Sequence, residues 1–227
     1  MRHEKVIQFP ILINRIETKK ETERVKIGDA FIGVRQRLYE SFRKRADALF
    51  NLLDGLCGNR NAQSPVEVSL ESAFEREYSS LHDAVDNFFV GSSPEQASAE
   101  RRRQAAERLA IVAEHLPKPR KRPFWLFGID TTPGLRPFAT KLADRGIVYY
   151  PNPAPGNKPI GVGHSYSILA FLPEREAGDA PWVVPLGCER VPTDKTAREV
   201  AVEQVAGLLN NEQLPFAGEL TVEAVDS

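Results

Sequence analysis

Two aspartates close strand-like runs in this chain. Asp130 follows the apolar stretch of FWLFGIDTTP, residues 124–133, and Asp226 ends LTVEAVD, residues 220–226. An apolar run of that length reads as a buried strand, with Pro133 as its stop. A carboxylate at such an exit reaches solvent while the strand behind holds it still. Two of them side by side repel, and a divalent cation relieves the repulsion. Oxygen-only donors suit Mg2+ or Mn2+ rather than zinc or copper. Two such ions about 3.5–4 Å apart stabilise the attacking and leaving oxygens of an in-line displacement at a phosphate ester. That arrangement calls for more than two carboxylates. Glu223 and Asp226 point to opposite faces under the two-residue period of a strand, and Glu219, Asp144 and Asp179 are loop candidates with no special claim. The alternative for Asp130 is a plain turn cap after a strand.

The elements that must position these groups are legible in outline. Residues 147–150 (IVYY) form a short strand-like piece, and PNPAPGNKP at 151–159 is a rigid turn region. Residues 164–172 and 182–191 read as two strands of a hairpin, with Pro185 and Gly187 marking an edge or a bulge. A helix over 193–210, capped by Thr193 or Asp194, buries Ala197, Val200, Ala201, Val205 and Leu208. If it crosses over the sheet, the last strand lies parallel to the first, about 4.8 Å away, and the two aspartates converge.

Upstream, the pattern is helical. Residues 1–28 read as a loosely docked arm. Phe31, Val34, Leu38, Phe42, Ala46, Leu49, Phe50 and Leu53 keep a three-four spacing that predicts one helix from about Ala30, with Asp29 as cap and Gly55 and Gly58 as its end. Cys57 reads as a buried or half-buried filler there. Further helices are expected over about 69–89 and 94–115, and Leu135–Ala143 has room for one or two helical turns. The domain division expected is 1–116, mostly helical; 117–123, a hinge-like basic linker; and 124–227, the sheet.

A formal charge of −1 conceals an asymmetry. Arg35–Arg45 carries five basic residues against one acidic, Arg101–Arg122 eight against two, and residues 199–227 six acidic and no Lys or Arg. Such division favours a polyanion partner over a neutral one, although solvated helix faces give the same counts. Candidate phosphate contacts are Arg35, Arg43, Lys44, Arg45, Lys118, Arg120, Lys121, Arg122, Arg136 and Lys158. His164 either touches the site or makes a structural backbone bond. GNKPIGVG lacks the spacing of a phosphate-binding loop. Tyr149 and Tyr150 lack the His and Arg cluster of a tyrosine recombinase.

Two distant cysteines argue against a disulfide scaffold or a zinc site and favour a reducing compartment. The opening apolar run is short for a signal peptide, and no segment is long enough to predict a membrane span.

The segments FGIDTTPGLRPFATKLADRGIVYYPNP, GNKPIGVGHSYSILAFLPE and PWVVPLGCERV, with GVRQRLYESFRKRADALFNLLDGL and SPVEVSLESAFEREYSSLHDAV upstream, resemble the amino-terminal half of a bacterial insertion-sequence transposase of the DDE type. The resemblance covers about residue 29 to the last. It implies an α+β or α/β fold, with a helical amino-terminal region followed by an incomplete ribonuclease-H-like mixed sheet and its crossover helix. Asp130 and Asp226 match the first and second catalytic, metal-binding acids; the third, a glutamate, would lie further on. Mg2+ or Mn2+ is the cofactor implied. The reaction is cleavage and strand transfer at terminal inverted repeats of double-stranded DNA, with a homo-oligomer or the full-length transposase as partner, in the bacterial cytoplasm near the nucleoid. The expectation is a truncated enzyme, inactive alone; the alternative is a non-catalytic DNA-binding or regulatory partial product.

Overall fold

The computed structural model describes residues 10–59, 61–62, 64–88, 93–149, 159–176 and 178–225. The chain forms two compact units that divide between Gln104 and Ala105. The division falls inside the helix Pro94–Ala113. The expected fold class is present: a helical region, then an open mixed sheet with a crossover helix, in a ribonuclease-H-like arrangement.

The first unit holds α1 (Pro10–Ser41), α2 (Ala46–Gly58), α3 (Pro65–Val68), α4 (Tyr78–Asp86) and the start of α5 (Pro94–Ala113). The single helix expected from Ala30 is two helices, and the first reaches back into the segment read as an arm. The break comes at residues 42–45, where Arg45 takes a left-handed backbone (φ 49°). That conformation is unfavourable for a residue with a Cβ. Tertiary packing compensates for it, because the chain reverses and Phe42 meets Phe50 and Phe88, with ring centroids 6.5 and 6.1 Å away. Tyr39 lies edge-on to Phe50, and Ala48, Leu49 and Ala84 are buried beside them. The helix expected over 69–89 is shorter: only α4 falls within that span, and α3 precedes it. Ser64 caps α3 by accepting the Glu67 N–H, and the chain then turns irregularly before α4. Cys57 is exposed rather than buried, as is Cys188 in the second unit, and both are free thiols.

The second unit is built on β1 (Trp125–Leu135). Its odd residues Trp125, Phe127 and Ile129 are buried, as the strand period requires. They pack with Leu169 and Phe171, with Leu208, and with Phe216, whose ring is 5.3 Å from Trp125 and 5.1 Å from Phe127. Ala113 and Leu116, at and just after the end of α5, join this core.

β3 (Ile160–Phe171) runs antiparallel to β1, and β5 (Thr221–Val225) runs parallel to it on the other side. On its far edge β3 takes β2 (Gly146–Tyr149) at one end and β4 (Val184–Val191) at the other. The hairpin of β3 and β4 is as expected, and the register shift falls beside Pro185 and Gly187, where Leu169 faces Gly187 and Ala170 faces Pro185. α6 (Ala197–Leu209) joins β4 to β5. Its cap is Thr196, not Thr193 or Asp194: Thr196 and Glu199 form a reciprocal capping box. After Leu135, the last residue of β1, residues 136–143 form turns and no helix.

Pro133 does not stop β1. Backbone bonds from Arg136 N–H to Val162 O and from Leu172 N–H to Leu126 O show the even residues of β1 facing β3, while Trp125 N–H donates to Leu220 O on the β5 side. Pro133 is odd, so its missing N–H points away from β3 and the β1–β3 ladder, which runs on to Leu135, loses no bond to it.

β1 and β3 approach closely where Leu135 faces Gly163: a Cβ on Gly163 would stand 2.2 Å from the Gly134 carbonyl oxygen. Gly163→Ala must push two backbones apart and should cost about 1–3 kcal/mol by urea unfolding. Gly128→Ala meets only the Leu172 side chain, at 3.1 Å, and should cost clearly less.

Candidate metal-carboxylate site and basic surface

Asp130 follows the last described pair of the β1–β5 ladder. It is exposed, and its Oδ1 accepts the Thr131 N–H at 2.7 Å. That bond fixes the carboxylate and leaves Oδ2 with no hydrogen-bond partner among the described residues. The parallel ladder pairs Trp125 with Thr221 through to Ile129 with Val225. In the sequence Asp130 follows Ile129 and Asp226 follows Val225; Asp226 lies outside the described residues.

A groove of about 790 Å³ opens beside this strand end. Asp130 and Thr131 border it with Glu223 and Val225 of β5, and α6 supplies Arg198 and an apolar side that includes Ala201, Val202 and Val205. Glu223 faces Phe127 across the ladder. Its Oε1 is buried without a partner among the described residues, and burial pushes its carboxyl above the usual range. A burial penalty of this kind is what a carboxylate without a counter-charge suffers.

The other carboxylates considered for a third ligand are engaged elsewhere. Glu219 accepts the Trp125 indole N–H at 2.6 Å, and Asp179 accepts the Glu176 N–H. Asp144, at a left-handed φ of 55°, accepts both the hydroxyl and the N–H of Thr193 and pairs with Arg190 at 3.1 Å. The Thr193 hydroxyl and N–H, with smaller help from Arg190 and His164, hold the Asp144 carboxyl below its usual range. His164 is buried and its Nε2 lies 3.1 Å from Ala143 O, the structural backbone bond. Among the described residues no three His, Cys, Asp or Glu side chains group as metal ligands.

The basic candidates divide by partner. Arg35 is held in a two-pronged pair with Asp54 (2.6 and 2.9 Å) over the Phe50 ring. Arg45 pairs with Asp83 at 3.0 Å, while Arg43 and Lys44 are exposed in the same break. Arg136 is exposed after β1, its guanidinium donating to Leu135 O. Lys158 lies outside the described residues.

The stretch 117–123 is not a free hinge. Glu174, just past β3, accepts the N–H groups of Arg120 (2.8 Å), Lys121 (2.8 Å) and Arg122 (2.7 Å). The Arg122 guanidinium donates to Leu172 O, and Lys121 pairs with Glu176 at 3.5 Å. The three N–H groups, the Arg120 one foremost, hold the Glu174 carboxyl below its usual range against the opposing effect of burial. In the sequence Glu174 is one polar residue of a loop with nothing to mark it. The available signal was a density of backbone donors with no sheet partner at 120–122, which must be satisfied somewhere.

Glu174 and Glu223 thus have opposite linkage. A depressed pKa contributes stability above the unfolded value, lost as pH falls through the folded one; a raised pKa imposes a penalty above the folded value, absent below the unfolded one. Thermal melts should show Glu174→Gln destabilising at neutral pH and Glu223→Gln stabilising there. Both effects should vanish in acid below the lowered pKa of Glu174.

No helix among the described residues is long and apolar enough to cross a membrane. The sequence model of one family, described as DDE superfamily endonuclease, matches residues 37–218. The match includes β1 with Asp130 and stops before β5. No curated protein and no solved structure matches the chain significantly.

Proposed function

Because the chain belongs to the DDE superfamily endonuclease family, we propose that Asp130 and Asp226 form the carboxylate pair of a Mg2+ or Mn2+ site for cleavage and strand transfer at insertion-sequence ends. One observation carries the reading. β5 is the parallel neighbour of β1, and their last described pair, Ile129 with Val225, is the pair that precedes the two aspartates. Adjacent parallel strands stand about 4.8 Å apart, within reach of one cation.

The residues fit such an ion. The donors are hard carboxylate oxygens, Asp130 is exposed, and the Thr131 N–H holds one of its oxygens in place. When bound, the ion would supply a Lewis acid that polarises a phosphodiester and lowers the pKa of an attacking water. Asp130 serves as ligand just past the buried part of β1. Arg35, Arg43, Lys44, Arg45, Lys118, Arg120, Lys121, Arg122, Arg136 and Lys158 serve as phosphate contacts on double-stranded DNA, and among them Arg35, Arg45, Lys121 and Arg122 also hold partners within the protein. Such contacts position the duplex without reading its sequence. The helical unit serves DNA or a partner subunit.

The test is a divalent-cation titration of the full chain, followed by thermal melting and by nicking of supercoiled DNA. A ligand present at about one hundred times its Kd adds roughly 2.7 kcal/mol to the folded state. Mg2+ or Mn2+ should therefore raise the melting midpoint by several degrees, and Asp130→Asn and Asp226→Asn should each abolish the rise. A rise that survives both substitutions would sink the site. DNA binding without metal-dependent nicking would leave the non-catalytic DNA-binding product as the reading.

A further inference from the structure

Three consecutive N–H groups converging on one point make an anion cradle. In the stretch 120–122 the cradle is occupied by the chain's own carboxylate, Glu174. Oε1 takes two of the N–H groups and Oε2 the third, so a segment rich in proline and charge is closed onto the end of β3. The bonds are made entirely by backbone on one side. The side chains of Lys118, Arg120 and Lys121 are therefore not consumed by them and, with Arg175, line a hollow of about 490 Å³.

The charge of that hollow can be counted. Four cations, Lys118, Arg120, Lys121 and Arg175, face two carboxylates, Glu174 and Glu176. Glu174 directs both oxygens into the cradle, and Glu176 lies 3.5 Å from Lys121. A net positive, concave surface on a pinned backbone is what a phosphodiester needs, because ordering long cationic side chains on a mobile segment would otherwise cost entropy on binding.

We infer that this hollow docks a backbone phosphate of DNA, and that Glu174 is the positioning residue that holds its basic wall in the binding form. The inference rests on the DNA reading above and adds to it a specific contact surface, the extra cation Arg175 and an acidic residue that promotes binding to an anion.

That last feature makes the test a matter of sign. By charge alone, Glu174→Gln removes a negative group and should tighten binding to a polyanion. By positioning, it should weaken binding, because the amide nitrogen that replaces one oxygen cannot accept an N–H. The measurement is anisotropy of labelled duplex DNA with the full chain over a range of salt. Expected for Glu174→Gln is a several-fold weaker affinity and a shallower salt dependence. Glu176→Gln, with the same charge change, should bind as tightly as the parent or tighter. Lys118→Ala and Arg175→Ala should each reduce the slope of log K against log salt by about 0.9, one phosphate contact. Trypsin should cut within 118–122 faster in Glu174→Gln than in the parent. If Glu174→Gln binds as tightly as Glu176→Gln, the positioning role is overturned while the DNA reading stands. If the parent chain binds no duplex, both fall together. Should Glu174→Gln not fold, unchanged slopes for Lys118→Ala and Arg175→Ala overturn the docking site.

Discussion

β1 divides its backbone hydrogen bonds by residue parity, and the second unit depends on that division. Even residues bond to β3 and odd residues to β5, while the odd side chains enter the core. One strand therefore fixes the antiparallel hairpin on one flank, the parallel strand on the other, and the aromatic cluster of Trp125, Phe127, Phe171 and Phe216 on one face. A slip of one residue would reverse all three at once, which is why such a strand tolerates little register error. The same parity explains how Pro133 lies within β1 without breaking its ladder to β3.

The strands were legible because their residues are β-branched and aromatic, bounded by proline and glycine. Even the irregularity at Pro185 and Gly187 was visible as two residues that disrupt a ladder. The parallel pairing of first and last strand followed from the intervening helix and from general rules of connection. Pro133 misled because its effect depends on which way its nitrogen faces, and the register with β3, in which it lies opposite Ser165, decides that.

The helical unit was less legible. A continuous three-four stripe from Phe31 to Leu53 conceals a reversal at Arg45, because Phe42 finds better burial against Phe50 and Phe88 after a turn than along a straight helix. Propensity does not announce such a break. Glu174 was equally hidden: its partners are amides more than fifty positions earlier, whose availability shows only when no strand claims them. Asp130 stood out by its setting at the end of an apolar run, whereas Glu223 stands out only by burial.

Cys57 and Cys188 are exposed, free, and the sole cysteines of the chain, one in each compact unit. The native protein thus already carries a donor and an acceptor position for thiol-directed dyes. Energy transfer between them would read out the separation of the two units in solution, without DNA and with it, and without engineering a residue.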